Sequence, residues 1–290
     1  MGSETEKDYV LGTGDVEIRR LGIQHEAWRE AAHAAWVRAG IGPGHTVVDV
    51  GCGPGYAALD LARIVGPSGR VVAIDRSKRF LDHLTAQAQA RGLKNIECVE
   101  KDLDSDPLPG SFAHFVWARW VFIFVKNPRE LLKRVHHMLR PRGELILHDY
   151  SDYATWRSEP ASPELAAFVQ AVMESWRAEG GEPNIADKLI AWLREEGAVN
   201  LRTRLLPRVE RPGDLGWGWL KSFLETGPAR LVELGKLDAG APARILKAVE
   251  TLEATPGAKM WAPLVTEVIA DRGAGPPTGQ FPRAVWPQAR

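Results

Sequence analysis

The residues most suggestive of chemistry lie in VVDVGCGPGYAALDLA, Val47 to Ala62. Gly51, Gly53 and Gly55 stand at alternate positions between an apolar run and a helical pattern, and Asp49 sits two residues before the first of them. Glycines spaced in this way leave main-chain amides bare, so a flat polar ligand can approach where a Cβ would block it. The competing structural account is a tight strand-to-helix turn. Two further carboxylates argue for a ligand. Asp75, followed by Arg76, ends the next strand pattern, where a carboxylate can accept two hydrogen bonds from a ribose diol. Asp102 follows the third, in EKDLDS, where it can accept from an exocyclic adenine amine. Either could be a helix cap alone. Together, at the ends of three consecutive strands, they read as an adenosine site.

The spacing G-x-G-x-G differs from the G-x-G-x-x-G that opens a helix toward a dinucleotide pyrophosphate. Asp49 would repel a pyrophosphate and suits a ligand carrying a positive charge, such as the amino group of a methionine moiety. That combination points to S-adenosylmethionine. An NAD-dependent oxidoreductase is disfavoured on the same two features, and a non-catalytic S-adenosylmethionine-binding regulatory module stays open.

Five segments then resemble the class I S-adenosylmethionine-dependent methyltransferases: VVDVGCGPG, VVAIDRS, EKDL, WARWVFIFVKNP and LLKRVHHMLRPRGELIL, together spanning roughly Thr46 to Asp149. The resemblance implies that Asp75 holds the ribose hydroxyls, that Asp102 and Leu103 bind the adenine, and that Gly51, Gly53 and Gly55 line the methionine and ribose. It implies a doubly wound, seven-stranded, mostly parallel sheet with a Rossmann-like methyltransferase fold, whose last strand, near 261–270, is antiparallel. It further implies that the leader before Gly40 covers the cofactor, with Tyr9, Arg19 and Gln24 reaching the methionine carboxylate. Arg142 replaces the first glycine of the commoner LRPGG, for which only a changed turn is expected.

The elements that must hold these residues are legible from periodicity. Leu21, Trp28, Ala32, Ala35 and Trp36 fall at helical spacing between Asp15 and Ala39, and Gly40 to Gly44 end that helix. Strands are expected at 46–50, 70–75, 96–99, 112–118 and 143–149, with helices near 55–65, 77–91 and 128–139. This alternation predicts parallel strands with helices on both faces. Beyond Asp149 the rhythm breaks into a helical insertion at 151–180, a helix at 184–196, a strand at 199–206, a second helical insertion at 211–257 and a final strand at 261–270. The organisation expected is a leader at 1–39, a cofactor-binding core at 40–150, completion of the sheet with two helical lids over 151–271, and a disordered tail at 272–290.

Methyl transfer needs an acceptor held in line with the sulfonium and sometimes a base. The catalytic candidates are His148, Tyr153 and Arg119, and Arg119 is also a candidate cofactor ligand. His148 has an ordinary pKa suited to a base, but a sheet histidine packed under a helix is an equal description. His25 reads as buried on the leader helix, and His136 and His137 as structural. Trp156, Trp176, Trp217, Trp219 and Phe223 in the insertions could wall an aromatic or apolar acceptor, or pack a core of their own.

Composition excludes little but tilts the reading. The 290 residues balance 37 Lys+Arg against 37 Asp+Glu, which argues against nucleic acid and membrane surfaces as partners and for a small-molecule acceptor. No apolar run reaches spanning length and the first ten residues are polar. Cys52 and Cys98 are the only cysteines, so a reduced, cytoplasmic protein is expected. No metal set is apparent. Acceptor identity, the methylated atom and the oligomeric state are not encoded in any motif.

Overall fold

In the computed structural model, residues 13–274 are described. The expectations for Tyr9 and for most of the C-terminal tail fall outside them. Helix α1 (Asp15–Ala39) is followed by β1 (Thr46–Val50), α2 (Tyr56–Val65), β2 (Arg70–Asp75), α3 (Lys78–Ala90), β3 (Ile96–Glu100), β4 (Ala113–Arg119), α4 (Pro128–Met138) and β5 (Leu139–Asp152). A 3-10 turn at Tyr153–Thr155 leads to β6 (Arg157–Glu159), α5 (Pro163–Ala178), α6 (Ala186–Glu195), β7 (Ala198–Leu206), β8 (Val209–Glu210), α7 (Leu215–Glu233), α8 (Ala241–Ala254), β9 (Lys259–Trp261) and β10 (Leu264–Arg272).

The main sheet has seven strands in the order β3-β2-β1-β4-β5-β10-β7. The β3-β2-β1-β4-β5 pairings are parallel, and β10 runs antiparallel to both β5 and β7. Strand order reverses between β2-β1 and β4, which opens a crevice at the carboxyl ends of these strands. That is the end where the glycine run, Asp75 and Arg119 emerge. β1 and β2 are buried on both faces because helices cover both, as the apolar residues of TVVDV and RVVAID require.

Local signals stop and start the elements as expected. Gly40 closes α1 in a left-handed conformation (φ 81°), Ser77 caps α3 through Phe80 N–H (3.3 Å), and Asn127 with Pro128 opens α4. Arg142, standing where the family pattern has glycine, itself adopts positive φ (65°). Two features were not anticipated. β5 begins at Leu139, four residues before the expected strand, and a second sheet of order β6-β9-β8 forms from segments of two or three residues. Strands this short carry no period that a sequence pattern can reveal. The small sheet interrupts the helical insertion expected at 151–180, which is helical only over α5.

Helix α1 does more than cover a crevice. Trp28 and Trp36 have no solvent exposure. Trp36 meets Trp117 edge-on at 5.4 Å, while Trp28 meets both Trp120 and Trp219 edge-on at 5.4 Å. The leader is thus part of the core.

Candidate functional site

One cavity of about 460 Å³ opens at the carboxyl ends of β1, β2, β4 and β5. Its donor end is lined by Asp49, Gly51, Gly53, Asp75, Arg76, Asp102 and Leu103. Its other end is walled by Trp120, Tyr150, Tyr153, Trp156, Trp219 and Phe223. Trp117 and Trp176 also contribute. Gln24 and Arg119 line the same space.

The three glycines divide by role. A Cβ on Gly55 would come within 2.4 Å of Leu84 and one on Gly51 within 2.6 Å of Val121, so the protein's own side chains demand glycine there. Gly55 does not line the cavity. At Gly53 (φ 54°) a Cβ would meet nothing closer than Leu21 at 3.9 Å, so this is the glycine whose bareness serves the open space. All three adopt a left-handed backbone, so the turn account covers each of them, and Gly53 in addition leaves the open space that the ligand account requires.

Asp75 is fixed by the loop it faces. Its Oδ2 accepts the Gly53 N–H (2.8 Å) and its Oδ1 accepts the Ser77 N–H (2.9 Å). Burial raises its pKa, and these two bonds oppose the rise. Asp49 is buried, and its Oδ2 has no hydrogen-bond partner. Burial pushes its carboxyl up to about 7, opposed by Arg119 and reinforced by Asp75. Asp102 accepts the Asp104 N–H through Oδ1 (3.0 Å) at the mouth.

The α1 contribution comes from a face the sequence reading placed only in part. Gln24 Oε1 accepts from Trp219 Nε1 (3.1 Å) and Arg20 Nη1 (3.2 Å). Arg20 is clamped through Nε and Nη2 by both oxygens of Glu17 (2.7 Å each) and lies over the Phe223 ring. Glu17 and Arg20, which line the cavity, went unnoticed, and Arg19 was named instead. Arg19 is exposed. The available signal was spacing: 17, 20, 21, 24 and 28 share one helical face with Leu21 and Trp28, and 19 does not.

Arg119 lies with its guanidinium 5.1 Å from the Trp120 ring centroid and 5.9 Å from that of Trp117. Burial lowers its pKa to about 10, partly offset by Asp49. Its Nη2 lies 3.2 Å from His25 Nδ1, and His25 Nε2 lies 3.1 Å from Asp60 Oδ2. A guanidinium can only donate, so His25 Nδ1 must accept; Nε2 then carries the proton toward Asp60, and the ring is neutral. Burial, opposed by the Asp60 bond and aided by Arg119, lowers the His25 pKa and supports this state. Asp60 also binds Arg29 (2.7 and 3.0 Å) and His33 (3.0 Å). Burial alone would raise the Asp60 pKa, but the bonds from His25, Arg29 and His33 hold it well below the usual carboxylate range.

His148 does not belong to this site. It is fully buried and absent from the cavity wall. Its ring packs edge-on to Trp117 (4.8 Å), and Nε2 meets Glu267 Oε2 (3.2 Å), which Arg38 of α1 also binds (2.6 Å). It lies deeper along β5 than Tyr150, covered by Trp117 and Glu267, so the packed-histidine description applies. Tyr153 does line the cavity, but burial raises its phenol pKa well above the ordinary value, as it does for Tyr150. Neither phenol is set up to accept a proton near neutrality. Trp217 lies outside the wall and donates to Glu253 of α8 (3.0 Å).

Residues 47–143 match the family described as Methyltransferase domain. That third of the chain, which holds the glycine loop, Asp75, Asp102 and Arg119, is thus similar to a methyltransferase domain. The chain is 29% identical over 123 residues to demethylmenaquinone methyltransferase of Geobacillus kaustophilus, covering 42% of this chain and 51% of that protein. It is 29% identical over 154 residues to 2-phytyl-1,4-naphtoquinone methyltransferase of Nostoc punctiforme, covering 53% and 63%. The chain thus spans less than two thirds of these relatives. Its fold is like that of phosphoethanolamine N-methyltransferase 2 from Haemonchus contortus, solved with S-adenosyl-L-methionine, at a TM-score of 0.55 and 15% identity over 88% of this chain and 57% of that one. At that identity the likeness speaks for the fold alone. The methyltransferase match ends near Gly143, so the segments that build the aromatic wall lie mostly beyond it.

Proposed function

We propose that this protein binds S-adenosylmethionine and transfers its methyl group to a small, planar, largely apolar acceptor. The observation that carries the reading is continuity: the glycine loop with Asp75 and the aromatic wall line one cavity. Its size is ordinary for a small-molecule site.

The donor end fits the cofactor on its own terms. Asp75 lines the cavity with its carboxylate oriented by the Gly53 and Ser77 N–H groups, and an acceptor-only group so held suits a ribose diol. Asp49 keeps an unpartnered oxygen in a buried place, which suits an ammonium group and would repel a pyrophosphate. Gly53 leaves room against the backbone. The bound cofactor would supply an electrophilic methyl on a sulfonium. The protein's part is to bind it, exclude water and place the acceptor, and placement alone is a large share of such a displacement.

The two named relatives are methyltransferases of naphthoquinone-type compounds, and a flat ring system is what this wall would accommodate. The balanced charge of the chain and the recessed cavity support a small molecule rather than a nucleic acid as acceptor. No helix among the described residues is long and apolar enough to cross a membrane, and the free thiols of Cys52 and Cys98 support a cytoplasmic setting.

Calorimetry with S-adenosylhomocysteine tests the reading. Dissociation in the micromolar range, about −8 kcal/mol, is expected. No heat and no shift in melting temperature at millimolar ligand would refute it.

A further inference from the structure

The acceptor end of the cavity has a charge character that neither the family nor the relatives assign. We propose that it takes its acceptor as an oxyanion, a phenolate or enolate on a planar ring, with Arg119 stabilising the anion and neutral His25 positioning Arg119. This rests on the methyl-transfer reading above.

Three observations carry it. First, Arg119 is a cation without an anion. Among the described residues no carboxylate lies within ion-pair distance of it, its bond to His25 is to a neutral ring, and its buried Nη1 has no partner. A guanidinium left so in a low-dielectric wall is costly unless a ligand brings the counter-charge. The other charges facing it are Asp49 on β1, Asp60 behind His25, and the Tyr150 phenol. Arg20, the cation of α1 that lines the cavity, is already neutralised by Glu17.

Second, Arg119 sits on the acceptor side. The Trp120 ring beneath it stacks between Tyr150 (5.5 Å, 21°) and Trp219 (5.8 Å, 13°), the parallel slabs of the wall. An ammonium acceptor seeking these ring faces would find a like charge already over Trp117 and Trp120. The cation is therefore placed against amines and in favour of anions.

Third, none of the side chains packed around Arg119 is set up to ionise a neutral acceptor, the other carboxylates of the lining, Asp104 and Glu179, standing in the loop after β3 and at the end of α5. Both His25 nitrogens are engaged, His148 lies outside, Glu17 is clamped by Arg20, and Tyr150 and Tyr153 hold their protons. Asp49 belongs to the donor end. An acceptor that is already ionised, held so by a fixed cation, needs none. In the step itself an oxygen lone pair forms the new O–C bond while the S–CH₃ bond breaks with its electrons to sulfur. One anion and one sulfonium become two neutral products, and no proton remains to be removed.

The test uses the full chain saturated with S-adenosylhomocysteine and 4-nitrophenol as probe, whose ionisation is read by visible absorbance. The bound probe should ionise at least one pH unit lower than the free probe, equivalent to about tenfold tighter binding of the anion. Arg119→Met should abolish the shift, Arg119→Lys should keep part of it, and His25→Asn should reduce it. Three results would overturn the proposal: no shift or no probe binding at millimolar concentration, tighter binding of 4-nitrobenzylammonium than of the phenolate, or an Arg119→Met variant that loses S-adenosylhomocysteine while the residual complex still shifts the probe. That last result would assign Arg119 to the cofactor carboxylate. Failure of the wild-type protein to bind S-adenosylhomocysteine would instead defeat the methyl-transfer reading itself, so the two failures are distinguishable.

Discussion

Asp75 Oδ2 accepts the backbone N–H of Gly53 at 2.8 Å, so the carboxylate at the end of β2 holds the glycine loop at the end of β1. On the function proposed above the same group would also bind the ribose, making it structural and ligand-binding at once. Asp75→Ala is expected to weaken S-adenosylhomocysteine binding by about tenfold or more, and also to lower stability of the ligand-free protein by ~1–3 kcal/mol, because two buried N–H groups lose their acceptor. Denaturant titration beside calorimetry separates the effects. A variant as stable as the parent would show that the loop holds itself.

The glycines offer a sharper contrast. Gly55→Ala places a methyl within 2.4 Å of Leu84 at a left-handed backbone position and should cost at least ~2 kcal/mol of stability. Gly53→Ala has room, so its stability loss should be limited to the ~1–2 kcal/mol of the backbone conformation, while cofactor affinity falls by roughly tenfold. Equal loss of affinity in both variants, after correction for folding, would contradict the division.

Asp49 predicts a pH dependence. Burial raises its folded pKa to about 7, whereas an unfolded aspartate titrates near ~3.9. The folded state then binds the extra proton between these values, so this group's contribution is fully present below about pH 4 and is lost as pH rises through about 7. Asp49→Asn should remove that component. Melting temperatures from pH 5 to 8 should converge on the acid side and separate toward pH 8, with the variant higher. Parallel curves would mean Asp49 is ionised throughout.

Much of the donor end was legible because its residues follow one another along the chain. The glycine run, Asp75 and Asp102 each close a strand whose β-branched run announces it, and parallel alternation brings the ends together. Arg119 was placed by the same logic. The acceptor wall was legible only as a list of aromatics, since Trp156, Trp217 and Trp219 look alike in sequence. Which of them face the cavity depends on how α7 packs on α1 and α8, a long-range matter. His148 is not legible as a packed residue because what covers it is distant in the chain: Trp117 on β4 and its partner Glu267, 119 positions away. Glu17 and Arg20 could have been found from the α1 periodicity.

Helix α1 should prove inseparable from the fold. Trp36→Ala is expected to cost ~3–5 kcal/mol, the scale for emptying a fully buried tryptophan site. A chain beginning at Gly40 should lack cooperative thermal unfolding, since it exposes the faces that Trp28 and Trp36 cover. A sharp transition in that truncated protein would show the leader to be a detachable cover.

The aromatic wall carries a consequence for how such a protein can diversify. Tyr153, Trp156, Trp176, Trp219 and Phe223 come from chain that departs after β5 and returns through β10, two strands that lie side by side. The glycine loop, Asp75 and Asp102 come from the opposite half of the sheet. These excursions therefore have their roots away from the glycine loop, and either could be lengthened, shortened or recombined without touching the bonds from Gly53 and Ser77 to Asp75. The two halves are free to drift at different speeds: a fixed handle on one side, and on the other an interchangeable tool head.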